Sequence, residues 1–183
     1  MQLLGERQPM SNETKHHDPN KLYIDFEGSL DSIFEPLRDI GYVEVGVLGT
    51  TKKTAENDVP VAYYGAVHEF GCPEQNIPMR SFLRAPIKKR LPEVLEKHFA
   101  SIMKKIYQNR QEEVLNDIGN EARNIVLDAF TTRGVEGEWP ELTDETIRRK
   151  TKKGRKGDAI LIDSNDLRLS IDYKVVLKKD IGK

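Results

Sequence analysis

The sequence predicts an α+β fold, with a small antiparallel β-sheet packed against a long helical hairpin, extended loops and an N-terminal arm. Apolar residues recur every three or four positions over 91–106 and again over 114–130, which is the period of two amphipathic helices. Short segments at 22–26, 42–48 and 173–177 are instead typical of β-strands. At 183 residues the chain has room for one proper core, so 21–183 is predicted to form a single domain.

The N-terminal part of the chain alternates between polar and periodic segments. Residues 1–20 are polar and lack a hydrophobic period, so we expect an arm that is loose or becomes ordered on a partner. Helical spacing over 30–40 predicts a helix that stops before Gly41. The polar, turn-rich segment 49–58 predicts a loop with room for a contact function.

A short helix is predicted within 59–71. Asp58 is a suitable N-cap, and Pro60 suits the first helical turn, where its missing N–H does no harm. Gly71 is expected to end this helix by taking the left-handed conformation.

The helical hairpin is predicted to span 91–131. A break at 107–110 is expected because one continuous helix would exceed the usual length in globular proteins, although no Gly or Pro there enforces it, and a single long helix is the alternative. Gly134 and Gly137 should end the second helix and lead to Trp139.

The C-terminal segment 139–178 is predicted to complete the domain. Trp139, the only tryptophan, is expected in the core between the hairpin and this segment, with a binding hot spot as the minority view. A short capped helix should begin at Thr143, and a second should run from a Ser164 cap through Leu167 and Ile171 before the final strand.

Composition restricts the classes of function. With 29 basic and 30 acidic side chains the formal charge is −1, so the whole chain offers no general attraction to nucleic acid or to an anionic membrane. The single cysteine excludes an internal disulfide framework and fits assembly in a reducing cytoplasm. The longest apolar runs are far shorter than the roughly 20 residues of a membrane-spanning helix, and no signal peptide is visible.

One group of reactive side chains, at 68–72, is a candidate chemical site. His68, Glu69 and Cys72 could suggest a metal or a nucleophile, but Cys72 lies past the expected helix stop at Gly71, so it does not share a helix face with His68. We therefore expect no catalytic residue, no metal and no cofactor, and a structural hydrogen bond from His68 or Glu69 to a neighbouring turn or subunit.

A pair of arginines flanks an aromatic residue at 80–84. Arg80 and Arg84 surround Phe82, so the segment is either a buried aromatic plug with solvated arginines or an intersubunit arginine contact, and the two readings are about equally supported by the residues alone.

A basic run at 148–157 holds seven cations in ten residues. Such a run is most often a solvated loop, but its density also fits phosphate contact without base specificity, because no aromatic stacking platform accompanies it. The candidate contacts with DNA, or with a channel through which DNA passes, are Arg148, Arg149, Lys150, Lys152, Lys153, Arg155 and Lys156.

Two distant blocks of the chain resemble one protein family. The first comprises Tyr63-Tyr64-Gly65-Ala66-Val67-His68-Glu69-Phe70-Gly71 and Ile77-Pro78-Met79-Arg80-Ser81-Phe82-Leu83-Arg84, similar to the pattern YAxxHEFG … IPxRxFLR. The second begins at Trp139-Pro140-Glu141-Leu142-Thr143, continues through Thr146-Ile147-Arg148-Arg149-Lys150 and closes with Ile160-Leu161-Ile162-Asp163-Ser164-Asn165-Asp166-Leu167-Arg168-Leu169-Ser170-Ile171-Asp172-Tyr173. It is similar to WxPLxxxTxxRK … ILIDTGxLxxSIxY. Both patterns are those of the virion-morphogenesis proteins of bacteriophages, the neck or tail-completion family, which this chain therefore resembles.

The chain departs from this family at one turn. Asp163-Ser164-Asn165 stands where the family has Asp-Thr-Gly. Ser keeps a hydroxyl that can cap a helix, and Asn tolerates a left-handed backbone, so the turn is expected to persist.

The resemblance implies a structural virion protein and not an enzyme. It implies a subunit of a homo-oligomeric ring, six-fold or twelve-fold from phage neck geometry in general, that completes the tail or neck and joins it to the DNA-filled head. The expected partners are further copies of the chain, the adjacent connector, neck and tail-tube proteins, and packaged DNA, with no membrane. The expected location is the virion neck, after assembly in the host cytoplasm. The candidate interface residues are Tyr64, His68, Glu69, Phe70, Arg80, Phe82, Arg84 and Asp163.

The alternative function is a DNA-binding module without sequence specificity that acts through the basic residues of 148–156.

Overall fold

A computed structural model of the chain describes residues 40–48, 59–162 and 165–180. Two strands and five α-helices occur in these ranges, together with short 3-10 turns at Pro73–Gln75 and Lys178–Asp180. In chain order the elements are β1 (Gly41–Val47), α1 (Val61–Phe70), α2 (Arg84–Tyr107), α3 (Gln111–Thr132), α4 (Asp144–Lys152), α5 (Asp166–Leu169) and β2 (Ile171–Leu177).

The sheet consists of β1 and β2, which pair antiparallel from Gly41 opposite Leu177 to Val47 opposite Ile171. The predicted α+β class, with a small antiparallel sheet beside a helical hairpin, is confirmed, and so are the strands expected at 42–48 and 173–177. The predicted arm, strand and helix before residue 40 and the loop at 49–58 lie outside the described residues.

The hairpin is formed by α2 and α3, and its break falls at 108–110 as predicted. Asn109 takes a positive φ of 56° there, and the amide of Arg110 donates to the carbonyl of Lys105 at 2.9 Å, so one continuous helix is excluded. The predicted start at residue 91 is wrong, because α2 already begins at Arg84. Pro86 lies in its first turn, where a proline removes no helical hydrogen bond.

The strands pack on α3, and Gly119 is the point of closest approach. A Cβ placed on Gly119 would lie 2.2 Å from the ring of Tyr173, so only glycine lets the β2 side chain rest on the helix backbone. The Tyr173 hydroxyl reaches Asn116 Oδ1, one turn earlier, at 3.3 Å. This contact fixes the sheet against the second helix of the hairpin.

The core is divided into two clusters of buried side chains. The main cluster joins α1, the start of α2, the end of α3 and the C-terminal segment, and Trp139 lies in it, 5.9 Å from the ring of Phe130. The core position predicted for Trp139 is confirmed. A second, smaller cluster at the hairpin turn contains Met103, Ile106 and Val114.

The C-terminal segment differs from its prediction in one element. The helix expected to run from Ser164 through Ile171 is only α5, because Ile171 already belongs to β2. Asn165 precedes α5 with a φ of 67°, so the expected left-handed turn is present, whereas Ser164 lies outside the described residues. By contrast, the expected Thr143 cap of α4 is confirmed, because its hydroxyl accepts from the amide of Thr146.

In the part of the chain that the structure describes, none of the helices combines the length and the apolar character needed to cross a membrane.

Candidate functional site

The carboxylate of Glu69 caps a helix other than its own. It is buried at 3% exposure near the end of α1 and receives five hydrogen bonds from the chain that enters α2. Oε2 accepts from the amides of Phe82 and Leu83, each at 2.9 Å. Oε1 accepts from Ser81 Oγ at 2.7 Å and from the amide and Nε of Arg84 at 3.1 and 3.0 Å. These amides are among the donors that every helix N-terminus leaves unsatisfied, and a negative charge there also complements the helix dipole.

A tight return of the chain makes this cap possible. Gly71 ends α1 with φ 76° and ψ 165°, a region that essentially only glycine occupies, and not the expected left-handed helical conformation. Cys72 and Ile77 then exchange two hydrogen bonds, of 2.8 and 3.0 Å, across the 3-10 turn between them. The amide of Arg80 donates to the carbonyl of His68 at 2.8 Å, so the segment 77–80 runs back beside the end of α1.

Arg80 ties this unit to the second block of the sequence. Its Nε and Nη2 donate to the carbonyl of Pro140 at 3.1 and 2.9 Å, and Nη2 also reaches the carbonyl of Glu141 at 3.2 Å. Trp139 Nε1 donates to the Ser81 carbonyl at 3.2 Å. The two sequence blocks that carry the family resemblance are therefore neighbours in space.

The candidate interface residues divide by burial. Glu69, Arg80 and Phe82 are buried within the chain, and the ring of Phe82 lies 5.4 Å from that of Phe130. Phe70 is 61% exposed, and the Arg84 guanidinium lies over its ring at 4.5 Å. Asp163 lies outside the described residues.

His68 and Tyr64 form an edge-to-face ring pair on α1, with centroids 4.4 Å apart. Burial of the imidazole, together with the nearby charge of Arg80, lowers the pKa of His68 to about 4, so the ring is neutral at pH 7. Its Nδ1 atom is buried and has no hydrogen-bond partner among the described residues. A buried polar atom without a hydrogen bond is uncommon in proteins.

The outer face of α1 is apolar. Tyr63, Ala66 and Phe70 follow the helical spacing and are exposed, whereas Glu69, the only residue of the helix that is charged at pH 7, faces inward. Met79, 57% exposed, lies on the irregular segment that runs back beside the end of this helix. The sequence analysis missed Tyr63 and Met79, although the spacing of Tyr63, Ala66 and Phe70 was a signal for this face. We call these four residues the α1 face.

The basic run is not one loop, because its first half forms the end of α4. The prediction that Lys150 contacts DNA is contradicted: the residue is 7% exposed, and its Nζ donates to the carbonyls of Ala159 and, at 2.9 Å, Ile162. Arg155 is half-buried. The remaining cations of the run are exposed, namely Arg148, Arg149, Lys152, Lys153 and Lys156.

A cleft of about 760 Å³ separates α1 and the 72–78 turn from α4. His68 and Arg80 contribute to one side, and Arg149 and Lys153 to the other. Leu142 and Leu161 add apolar surface. Cys72 does not line this cleft, and within the described ranges no group of three or more His, Cys, Asp and Glu side chains is arranged to hold a metal ion.

Comparisons of the chain with family models, with curated proteins and with solved structures each found no match. The relation to phage virion-morphogenesis proteins therefore stays a prediction from the two sequence blocks.

We expect Glu69→Gln to lower the free energy of unfolding by about 2–4 kcal/mol, because an amide removes the charge and places donors against donors. Urea unfolding followed by circular dichroism measures the loss. Glu74→Gln, an exposed carboxylate in the adjacent 3-10 turn, is the matched control and should change stability by less than about 0.5 kcal/mol. A Glu69→Gln loss as small as that of the control would contradict the capping role.

The lowered pKa of His68 predicts a specific acid sensitivity. Between pH 6.5 and about 4 the unfolded state binds a proton that the folded state does not, so stability present above pH 6.5 is lost as the pH falls through this window. The loss is at most about 3 kcal/mol. The free energy of unfolding, measured by urea titrations at several pH values across this window and plotted against pH, should fall less steeply for His68→Gln than for the wild type. The exposed His98→Gln should give the same slope as the wild type. Parallel curves for all three proteins would rule out the neutral, buried imidazole.

Proposed function

We propose that this chain is a structural virion protein of a bacteriophage: a subunit of an oligomeric ring at the head–tail junction that completes the tail or neck and joins it to the DNA-filled head. The ring resides in the virion and assembles in the host cytoplasm. Its partners are copies of itself and the adjacent connector, neck and tail-tube proteins, and its action is assembly without a catalytic residue.

The inverted polarity of α1 carries this proposal. A helix on the surface of a monomer normally buries its apolar face and exposes its charges. Here the carboxylate of Glu69 is consumed by the α2 cap, and the exposed side presents Tyr63 and Phe70, each 61% accessible, to solvent. Aromatic residues and Met are enriched at the centres of protein interfaces, where they exclude water, and Arg84 beside Phe70 adds a planar cation of the kind that interfaces favour.

A second, different apolar surface lies on the hairpin. Leu95 and Ile102 line a groove of about 240 Å³ between α2 and α3, and Phe99, one turn from Leu95, is 57% exposed. Closed rings are built from heterologous contacts, in which one patch of each subunit meets a different patch of the next. The α1 face is one of the two patches that we assign to that contact, and the other is the hairpin patch, which comprises this groove and the exposed Phe99 beside it.

A head-to-tail contact predicts a particular result on mixing variants. Phe70→Glu and Phe99→Glu should each abolish the oligomer, because each places a charge in one of the two patches. An equimolar mixture should give dimers and no larger species, since one intact patch remains on each partner. Size-exclusion chromatography with light scattering measures these masses.

Leu169→Glu is the control for this experiment, because Leu169 is an exposed apolar residue outside both patches, and it should leave the oligomer intact. Oligomers that persist in Phe70→Glu would contradict the assignment of the α1 face.

The role at the head–tail junction is tested by electron microscopy of lysates from the encoding phage with this gene inactivated, beside a complemented control. We expect DNA-filled or leaking heads to accumulate apart from finished tails. The half that regains joining activity on addition of the purified protein distinguishes head completion from tail completion. Normal, infectious virions in the absence of the protein would refute the proposal.

A DNA-binding module without sequence specificity is the second candidate function. The observation that favours it is the cluster of exposed cations on the last turn of α4 and the turn that follows, which is suited to phosphate contact. In a neck ring these cations would line or fringe the DNA channel, so the two functions are compatible. As the sole function, DNA binding is supported only if virions form normally without the protein.

A further inference from the structure

The cleft between α1 and α4 combines positive charge with apolar walls. Four cations line it, against the two carboxylates of Glu141 and Glu145. The Glu141 carboxylate accepts from Arg133 at 3.0 Å, and its charge also acts on Arg80, where it opposes the lowering of the pKa by burial. Among the described residues that line the cleft, cations therefore outnumber carboxylates by four to two, although the chain as a whole is near neutral.

Arg80 is the deepest of these cations. It is 5% exposed, and among the described residues its hydrogen bonds go to backbone carbonyls and none to a carboxylate. Burial lowers the pKa of Arg80, which reflects the cost of holding its charge away from water. Buried charges in proteins are normally paired. An anion in the cleft would give Arg80 the direct hydrogen bond to a negative charge that none of the described residues provides.

His68 presents a second unmet requirement on the same side of the cleft. Its buried Nδ1 has no partner among the described residues, and only the tautomer that carries the proton on Nδ1 would let this atom donate to a carboxylate. Arg149 and Lys153 complete the positive lining from the end of α4.

We propose that this cleft binds a short peptide segment of a partner protein in which an Asp or Glu stands beside an apolar residue. The carboxylate lies among Arg80, Arg149 and Lys153, and the neighbouring apolar side chain packs against Leu142 and Leu161. The inference goes beyond the proposed function, because it requires neither a ring nor a phage neck.

The lining favours a peptide over a nucleic acid. DNA carries a phosphate charge about every 1.7 Å along the duplex axis and would bring several of them against Glu141 and Glu145. A single carboxylate avoids that repulsion, and the apolar walls have no use in phosphate contact. The exposed cations of the basic run that lie outside the cleft, and so remain available to DNA, are Arg148, Lys152 and Lys156.

The test is a titration of the full chain, labelled with ¹⁵N, with the acetylated and amidated pentapeptide Ala-Leu-Asp-Leu-Ala, followed by the side-chain signals of His68 and Arg80. We expect saturable shifts of both signals. The same peptide with Asn in place of Asp should bind at least about tenfold more weakly, because the charged hydrogen bonds are lost.

Two double variants locate the site, because they remove the same charge from neighbouring positions. Arg149→Gln with Lys153→Gln takes both cations from the cleft and should weaken binding about three- to tenfold. Arg148→Gln with Lys152→Gln takes two cations from outside it and should leave the affinity within about twofold.

Three results would overturn the proposal. Equal weakening by both double variants would indicate a diffuse basic surface. Equal binding of the Asp and Asn peptides would remove the carboxylate from the argument. Inorganic phosphate or a short DNA duplex that shifts His68 and Arg80 at lower concentration than the Asp peptide would assign the cleft to phosphate.

Discussion

The buried carboxylate of Glu69 is the interaction on which the rest of this structure depends. The chain before α2 offers a leucine at the N-cap position, with no capping side chain of its own there. One carboxylate from α1 takes three backbone amides and the Ser81 hydroxyl, and the same Ser81 oxygen accepts from the amide of Ala85. The cap thus fixes the distance and angle between two helices as well as ending one of them. Because α1 turns its only carboxylate inward for this purpose, its outer side is left to apolar residues.

Two other buried charges do similar work for irregular parts of the chain. Arg80 binds the carbonyls of Pro140 and Glu141 and so joins two segments without regular structure, whereas Lys150 binds those of Ala159 and Ile162 and so holds an irregular segment against α4. Backbone carbonyls in such segments lack the partners that a helix or sheet would give them. The cations satisfy these acceptors and form the floor of the cleft between α1 and α4, which is why the scaffold and the candidate binding site share residues.

The fold could be predicted from the sequence wherever a local pattern decides the structure. The prediction was wrong where a residue distant in the chain decides it. Helical periodicity and the usual length of a helix predicted the break at 108–110. The alternation of side chains predicted both described strands. The start of α2 was missed because most of its cap comes from Glu69, up to fifteen residues earlier in the chain, and the one local capping side chain is Ser81, whose hydroxyl accepts from the amide of Ala85. Lys150 was grouped with its basic neighbours because orientation around a helix depends on what the helix packs against. For the site, burial separated Glu69, Arg80 and Phe82 from Phe70, a distinction that residue type alone does not make.

The division of the core into two clusters has a mechanical consequence. Between the main cluster and the small one around Met103 and Ile106, the middle of α2 is largely solvent-exposed, and Pro92 interrupts its hydrogen bonding. The far end of the hairpin is therefore held to the rest of the domain by few apolar contacts. Its local opening should cost less free energy than global unfolding. Bending of this end would leave the Glu69 cap, which lies at the start of α2, undisturbed.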